Sequence, residues 1–136
     1  LGVEFIEQPL PPEELDAMEE VCRKSALPVI ADENSILPGD IPKLAGRFHG
    51  INIKLVKCGG ILPALRMVHL ARTLGLRVMF GCMIETSILI SAAAQLGPLA
   101  DYLDLDGNVL ISDDPYAGVE NEAGRLSLSE SWVRRR

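Results

Sequence analysis

Short apolar runs alternate with longer amphipathic stretches along most of this chain. Five runs are rich in β-branched and other apolar residues and have the length of buried strands: residues 3–7, 28–32, 50–54, 77–81 and 102–105. No hairpin signal joins one of these runs to the next. The pattern therefore predicts an α/β fold in which parallel strands are connected by helical crossovers.

Four amphipathic stretches fill the spaces between the runs, at residues 12–25, 38–48, 61–74 and 87–96. In the third stretch, Leu62, Leu65 and Val68 recur at helical spacing, which predicts a helix with one apolar face. After residue 108 the pattern changes, because residues 109–111 and 125–128 flank a turn-rich stretch. We expect a small irregular or hairpin segment there.

Ionisable residues stand at the ends of four of the five apolar runs. Glu7, Asp32 and Lys54 end the first three runs, and Asp104 and Asp106 close the fifth. In a (β/α)₈ barrel, functional side chains lie at the carboxyl ends of the strands, around one mouth. This placement favours part of a barrel over an open, doubly wound sheet.

Glu7, Asp32 and Lys54 follow one another at the spacing of βα units. The two intervals are about as long as one unit of a barrel of roughly 250 residues, so adjacent strands would bring the three side chains together. Two converging carboxylates repel each other unless a cation lies between them, and Mg²⁺ prefers oxygen ligands. The series predicts part of a magnesium site with a lysine beside it.

Each member of this series also has an ordinary interpretation. A carboxylate at a strand end is often a solvated loop residue or a helix N-cap, and Asp32 is placed to cap the following segment. A lysine at a sheet end commonly extends its charged group to solvent. The prediction rests on the whole series, because beside two metal-bound carboxylates Lys54 becomes a candidate base.

Composition excludes several classes of function. The 136 residues suffice for one domain with an apolar core, and the net charge of −6 argues against a nucleic-acid or anionic-membrane surface. The basic run at residues 134–136 is expected to be a solvated tail. Cys22, Cys58 and Cys82 are odd in number and lack CxxC spacing, which fits neither a zinc site nor a disulfide framework. With no leader and no bilayer-length apolar stretch, we expect a cytoplasmic protein.

Five motifs, in this order, resemble the enolase superfamily. Residues 5–11 (FIEQPLP), 30–35 (IADENS) and 51–60 (INIKLVKCGG) resemble its fourth, fifth and sixth barrel strands, in particular those of the muconate-lactonizing subgroup. Residues 82–87 (CMIETS) and 104–107 (DLDG) are similar to the dipeptide epimerases, of which L-Ala-D/L-Glu epimerase is typical. The resemblance implies the C-terminal portion, about strands 4 to 8, of a TIM barrel.

The resemblance also implies roles for individual residues. Glu7 and Asp32 would be two of three Mg²⁺ ligands, and Lys54 would be the acid/base lysine on one face of the substrate carbon. Lys57 is expected to fall in a loop and not to be the catalytic lysine.

Four further residues take substrate-binding roles by the same resemblance. The backbone around Cys82 and Ile84 would line the substrate site, and Asp104 and Asp106 would hold the α-ammonium group of a dipeptide. The ordinary interpretation of the aspartate pair is a tight turn, since Asp-Gly is common in turns whatever the function.

The resemblance further implies that parts of the family fold are missing. Residues 1–136 would be a partial barrel domain without the N-terminal capping domain, the first strands, a second lysine and one metal-binding aspartate. Five strands cannot close an eight-stranded barrel and leave two edges unpaired. We expect this fragment alone to be inactive and to need the missing half or another chain. The question whether the protein forms a homo-oligomer stays open.

Three other interpretations compete with an epimerase. A muconate cycloisomerase or o-succinylbenzoate synthase would share the metal and the lysine without needing Asp104 and Asp106. A non-catalytic barrel remnant would carry inherited strand-end residues. A nucleotide-binding sheet lacks support, because Gly59-Gly60 precedes a helix but neither G-x-G-x-x-G nor a P-loop is present.

Overall fold

Five strands form one parallel sheet in this protein. The computed structural model describes residues 2–128 and the backbone of residues 134–135. The strands are β1 (Ile6–Glu7), β2 (Val29–Ala31), β3 (Gly50–Lys54), β4 (Arg77–Gly81) and β5 (Tyr102–Leu103), and each pairs in parallel with the next. The predicted parallel α/β fold is confirmed, and the strand order is that of consecutive barrel units.

The middle of the sheet matches the predicted strand bounds and the edges do not. β3 and β4 have the predicted bounds and pair through five consecutive residues. β1, β2 and β5 are shorter than predicted. The difference follows from pairing, since β3 and β4 pair with each other over five residues, whereas β1, β2 and β5 each pair with a neighbour through only two.

Five α-helices accompany the strands: α1 (Leu15–Lys24), α2 (Ile41–Leu44), α3 (Leu55–Cys58), α4 (Ile61–Thr73) and α5 (Ser87–Ala94). Four of them lie within the predicted stretches. α2 is much shorter than its stretch because the chain leaves the helical conformation at Ala45 and Gly46 has a φ of 80°.

Helix α3 was missed by the sequence analysis. It begins directly after β3 and ends at Cys58, and the next residue, Gly59, forms the C-cap with a φ of 92° and an N–H bond to Leu55 O. The expectation that Lys57 falls in a loop was therefore wrong. Placed on a helical turn next to β3, its side chain lies on the same side of the sheet as Lys54.

The C-terminal segment is irregular and contains a hairpin, as predicted. β7 (Glu120–Glu122) and β8 (Arg125–Ser127) pair in antiparallel fashion, and β6 (Tyr116–Ala117) pairs with β9 (Arg134–Arg135). Residues 109–111 do not form a strand, because most of them belong to a 3₁₀ helix over Gly107–Leu110. The side chains of the expected solvated tail at 134–136 lie outside the described residues.

Alternation along the strands divides the sheet into two faces. Ile51, Ile53, Val78 and Phe80 are fully buried in one core cluster with apolar residues of the helices. The other face is concave, because Phe5, next to one sheet edge, and Tyr102, on the other edge, have ring centroids 4.6 Å apart. The sheet is thus curved as part of a barrel wall. Within the described ranges, no helix has the length and apolar character needed to cross a membrane.

Candidate active site

The strand register places the predicted residues on the concave face. Glu7 is in register with Ile30, and Ile30 with Gly50. Because side chains alternate along each strand, Glu7, Asp32 and Lys54 point to the same side, away from the helices. Their shared position at the carboxyl ends of adjacent strands follows from the parallel pairing.

Asp32 is the centre of a buried group of charges. Its Oδ2 accepts a hydrogen bond from Lys54 Nζ at 2.9 Å, and its Oδ1 accepts one from Lys57 Nζ at 2.8 Å. The Asp32 and Lys54 side chains are only 10% and 12% exposed, so water screens this pair weakly. Lys57, which the sequence analysis set aside, is thus a direct neighbour of the site. In the sequence, the only indication of this contact was a second lysine three residues after Lys54.

The groups around Lys54 favour its charged form. Burial acts to lower the pKa of Lys54, but the hydrogen bond and charge of Asp32, followed by the charges of Glu7 and Glu33, outweigh it and raise the pKa. Glu7 and Asp32 thus both act on Lys54.

Amide side chains hold the carboxylates in place, and the sequence analysis named none of them. Asn52 Nδ2 donates to Glu7 Oε1 at 2.7 Å. Gln8 accepts the backbone N–H of Asp32 at 3.0 Å and donates to Asn34 Oδ1 at 2.7 Å. These residues stand within the motifs that were quoted, but their partners are 24 to 45 positions away and depend on register.

The ends of β4 and β5 carry acidic residues without cationic partners. Neither Asp104 nor Asp106 forms a salt bridge with any described residue. Burial, and then the charge of Asp106, raise the pKa of Asp104, while the charge of Lys54 opposes the shift. Asp104 therefore lies within electrostatic reach of Lys54, so the structure brings both ends of the sheet to one mouth.

The segment after β4 packs against the segment after β5. A Cβ at Gly107 would overlap the backbone oxygen of Met83, which explains the glycine in the DLDG motif. Cys82 is half-buried, and burial raises the pKa of its thiol. The side chain of Ile84 is 69% exposed at the surface of this segment.

Glu85 is an acidic residue of the mouth that the sequence analysis did not single out. Its Oε1 accepts the backbone N–H of Met83 at 3.3 Å, and its Oε2 is buried without a hydrogen-bond partner among the described residues. Burial raises the pKa of Glu85, while the N–H of Met83 and the charge of Lys54 oppose the shift. Its position within CMIETS, just after a strand, was the available signal.

The donor set fits part of a magnesium site. Glu7 and Asp32 supply hard oxygen ligands from adjacent strands, the type that Mg²⁺ takes in proteins. Among residues 2–128, no three acidic, histidine or cysteine side chains are grouped to hold a metal ion. A magnesium site built on these two carboxylates would need a further ligand.

Fold and site together define a portion of a (β/α)₈ barrel whose mouth carries acids and lysines at the strand ends. A family model described as enolase C-terminal domain-like matches residues 1–125. The chain belongs to this family. The resemblance drawn from the five motifs and the expected partial TIM barrel are both confirmed.

Relatives of known name point to epimerases. The chain is 53% identical to an L-Ala-D/L-Glu epimerase of Bacteroides thetaiotaomicron over 129 residues, which cover 95% of this chain and 34% of that protein. It is 39% identical to the L-Ala-D/L-Glu epimerase of Escherichia coli, covering 94% of this chain and 39% of the relative. The chain thus spans only about a third to two fifths of the length of these proteins.

Solved structures agree with the sequence relatives. The dipeptide epimerase of Methylococcus capsulatus, complexed with Mg and the dipeptide L-Arg-D-Lys, matches with a TM-score of 0.83 at 39% identity, over 95% of this chain and 38% of that one. A substrate-liganded complex of the L-Ala-D/L-Glu epimerase from Bacillus subtilis matches with a TM-score of 0.87 at 29% identity, over 94% and 37% of the two chains.

Proposed function

We propose that the complete protein is a magnesium-dependent dipeptide epimerase, which inverts the carbon next to a carboxylate by removing its proton and returning one to the opposite face. The observation that carries this proposal is the buried contact of 2.9 Å between Lys54 and Asp32, with the charge of Glu7 acting on the same lysine. The names of the relatives support the reaction class.

Glu7 and Asp32 would hold the magnesium ion through their carboxylate oxygens. A divalent cation at this place supplies the positive charge that stabilises an enediolate formed from the substrate carboxylate. The third acidic ligand would come from the part of the protein that lies outside this chain, together with the first barrel strands and a capping domain.

Lys54 would carry the proton on one face of the substrate carbon. Its Nζ is buried and fixed by Asp32, which orients the ammonium group toward the mouth and keeps a proton ready for return. Inversion requires a second group on the opposite face, and we assign that role to a lysine from the missing part of the barrel. This fragment alone is accordingly expected to be inactive.

Asp104 and Asp106 would bind the α-ammonium group of the dipeptide. Two acids close together without a cationic partner among the described residues favour a positively charged ligand, because an ammonium ion relieves their repulsion. The backbone around Cys82 and Ile84 would line the adjacent part of the pocket, since this segment packs directly on the Asp106–Gly107 turn.

A chimera tests this proposal. The N-terminal part of the Bacteroides thetaiotaomicron relative, fused ahead of Leu1, would supply the missing strands, ligand and lysine. In deuterated water we expect the chimera to exchange the α-hydrogen of L-Ala-L-Glu and of L-Ala-D-Glu, observed by NMR, and to lose this activity when EDTA removes Mg²⁺. A folded chimera without exchange would overturn the proposal in favour of a non-catalytic remnant.

The same chimera separates the sibling activities. Muconate and succinylbenzoate substrates lack an ammonium group, so a cycloisomerase or synthase would turn them over without the aspartate pair. Faster turnover of these acids than of dipeptides would replace the epimerase by one of these enzymes.

A further inference from the structure

Asn52 connects the middle of the sheet to the acid at its edge. It lies in β3, is 1% exposed, and donates through Nδ2 to Oε1 of Glu7 at 2.7 Å. Among the described residues, no other side chain forms a hydrogen bond with Glu7. The amide therefore fixes one oxygen of this carboxylate and leaves Oε2 without a partner in the described part of the chain.

The orientation of this amide follows from the chemistry of its partner. An ionised carboxylate only accepts hydrogen bonds, so the nitrogen of Asn52 must face Glu7. The amide oxygen is then turned the other way, where it is buried and has no partner among residues 2–128. A buried acceptor without a partner is unfavourable for stability, and an apolar residue on this face would avoid that arrangement.

A glycine on the neighbouring strand makes room for the amide. A Cβ at Gly81 would lie 2.5 Å from Oδ1 and 2.6 Å from Nδ2 of Asn52, closer than side-chain atoms can approach. Glycine within a strand weakens the strand and often marks a close approach of this kind. The unpaired amide oxygen of Asn52 and the glycine within β4 are each unfavourable for stability. The position of the Asn52 amide explains both.

We propose that Asn52 is a positioning residue for Glu7, which holds the carboxylate so that Oε2 is available to a divalent cation. Gly81 supports this role by leaving space for the amide. The proposal rests on the proposed function, because it requires Glu7 to be a magnesium ligand. Asn52 itself touches neither substrate nor metal in this assignment.

Magnesium binding to the chimera, measured by calorimetry without substrate, tests the role directly. Asn52→Leu keeps the approximate side-chain volume but removes the N–H donor. Loss of a partner that orients a metal ligand typically weakens metal binding by about tenfold to a hundredfold, and we expect the Kd for Mg²⁺ to rise by that factor. The midpoint of thermal unfolding in EDTA should not fall, because the buried unpaired oxygen is removed as well.

Two further variants make the outcomes distinct. Ser91→Ala removes another buried polar group, the acceptor of the Val119 N–H, far from Glu7, and should leave the Kd unchanged. Glu7→Gln should abolish tight Mg²⁺ binding. If Glu7→Gln weakens binding and Asn52→Leu does not, the positioning role is wrong and the proposed function stands.

Failure of the underlying function would give a different result. If Glu7→Gln binds Mg²⁺ as tightly as the unmodified chimera, Glu7 is not a ligand and the metal assignment falls together with the role of Asn52. Should Asn52→Leu not fold, Asn52→Ser, whose short hydroxyl cannot span the distance to Glu7, takes its place with the same expected rise in Kd. An unchanged Kd in that variant would overturn the positioning role.

Discussion

The two halves of the mouth differ in how their acids are paired. At the ends of β1 to β3, Asp32 binds two lysines and Glu7 binds the Asn52 amide, so each carboxylate has a donor. At the ends of β4 and β5, Asp104 and Glu85 have a raised pKa, chiefly because the protein partly desolvates their carboxylates. At the ends of β1 to β3 the carboxylates are already paired with donors, whereas at the ends of β4 and β5 the acids have no cationic partner among the described residues.

This difference indicates that the two halves of the mouth suit different functions. Paired, fixed groups suit proton transfer and metal binding, which depend on geometry. Unpaired acids suit a ligand that brings its own positive charge, because its binding relieves repulsion already present in the protein. The proposed dipeptide substrate, with a carboxylate at one end and an ammonium group at the other, would satisfy both halves at once.

The largest effect should follow from removing Lys54, the proposed proton carrier. In the chimera, Lys54→Met should lower kcat for epimerisation about a thousandfold, within the range for loss of a general acid or base. Exchange of the α-hydrogen should survive for one of the two epimers, since the other lysine serves that face. Lys43→Met, which removes an exposed lysine paired with Asp40, should leave kcat unchanged. Equal kcat for Lys54→Met and the unmodified chimera would remove Lys54 from the mechanism.

Removing the acids at the end of β5 should mainly raise the KM for the dipeptide. Replacing Asp104 and Asp106 together by Asn should raise KM for dipeptides at least about a hundredfold, because each hydrogen bond to a charged group contributes about 1.5–3 kcal/mol. The matched control is Asp101→Asn, since Asp101 pairs with Arg72 at the opposite end of the strand. The comparison between halves fails if KM is unaffected by the double substitution or rises equally in the control.

The smallest effect should be a gain in stability at Glu85. Its pKa is raised in the folded chain, so the folded state binds this proton more tightly than the unfolded state, and stability falls as the pH rises through the raised pKa. In the 136-residue chain, Glu85→Gln should raise the free energy of unfolding at pH 7 on the order of 1 kcal/mol. The gain should fade as the pH drops below the ordinary value of 4.5. Urea unfolding of the variant and the unmodified chain at pH 7 and below pH 4.5 measures this difference. A less stable variant at pH 7 would show that the charge of Glu85 is well accommodated.

Much of the fold could be predicted from local patterns. The alternation of apolar runs and amphipathic stretches reflects burial on one side of a strand or helix, which is a property of neighbouring residues. The bounds of β3 and β4 were therefore predicted correctly, whereas α3 was missed because a single turn is too short to show helical spacing.

The order of the five parallel strands, the family and the charged residues at the strand ends could be predicted before the structure, because these depend on residues close together in the chain. Which of these groups meet depends on how the strands are arranged in space. Lys57 binds Asp32, 25 positions away, and Asn52 binds Glu7, 45 positions away, because strand register brings them together. Glu85 has a buried carboxylate oxygen near the same mouth, and its depth of burial follows from the packing of the loops around it. Local spacing carries no information on such pairings, since they arise when separate strands come together in one curved sheet.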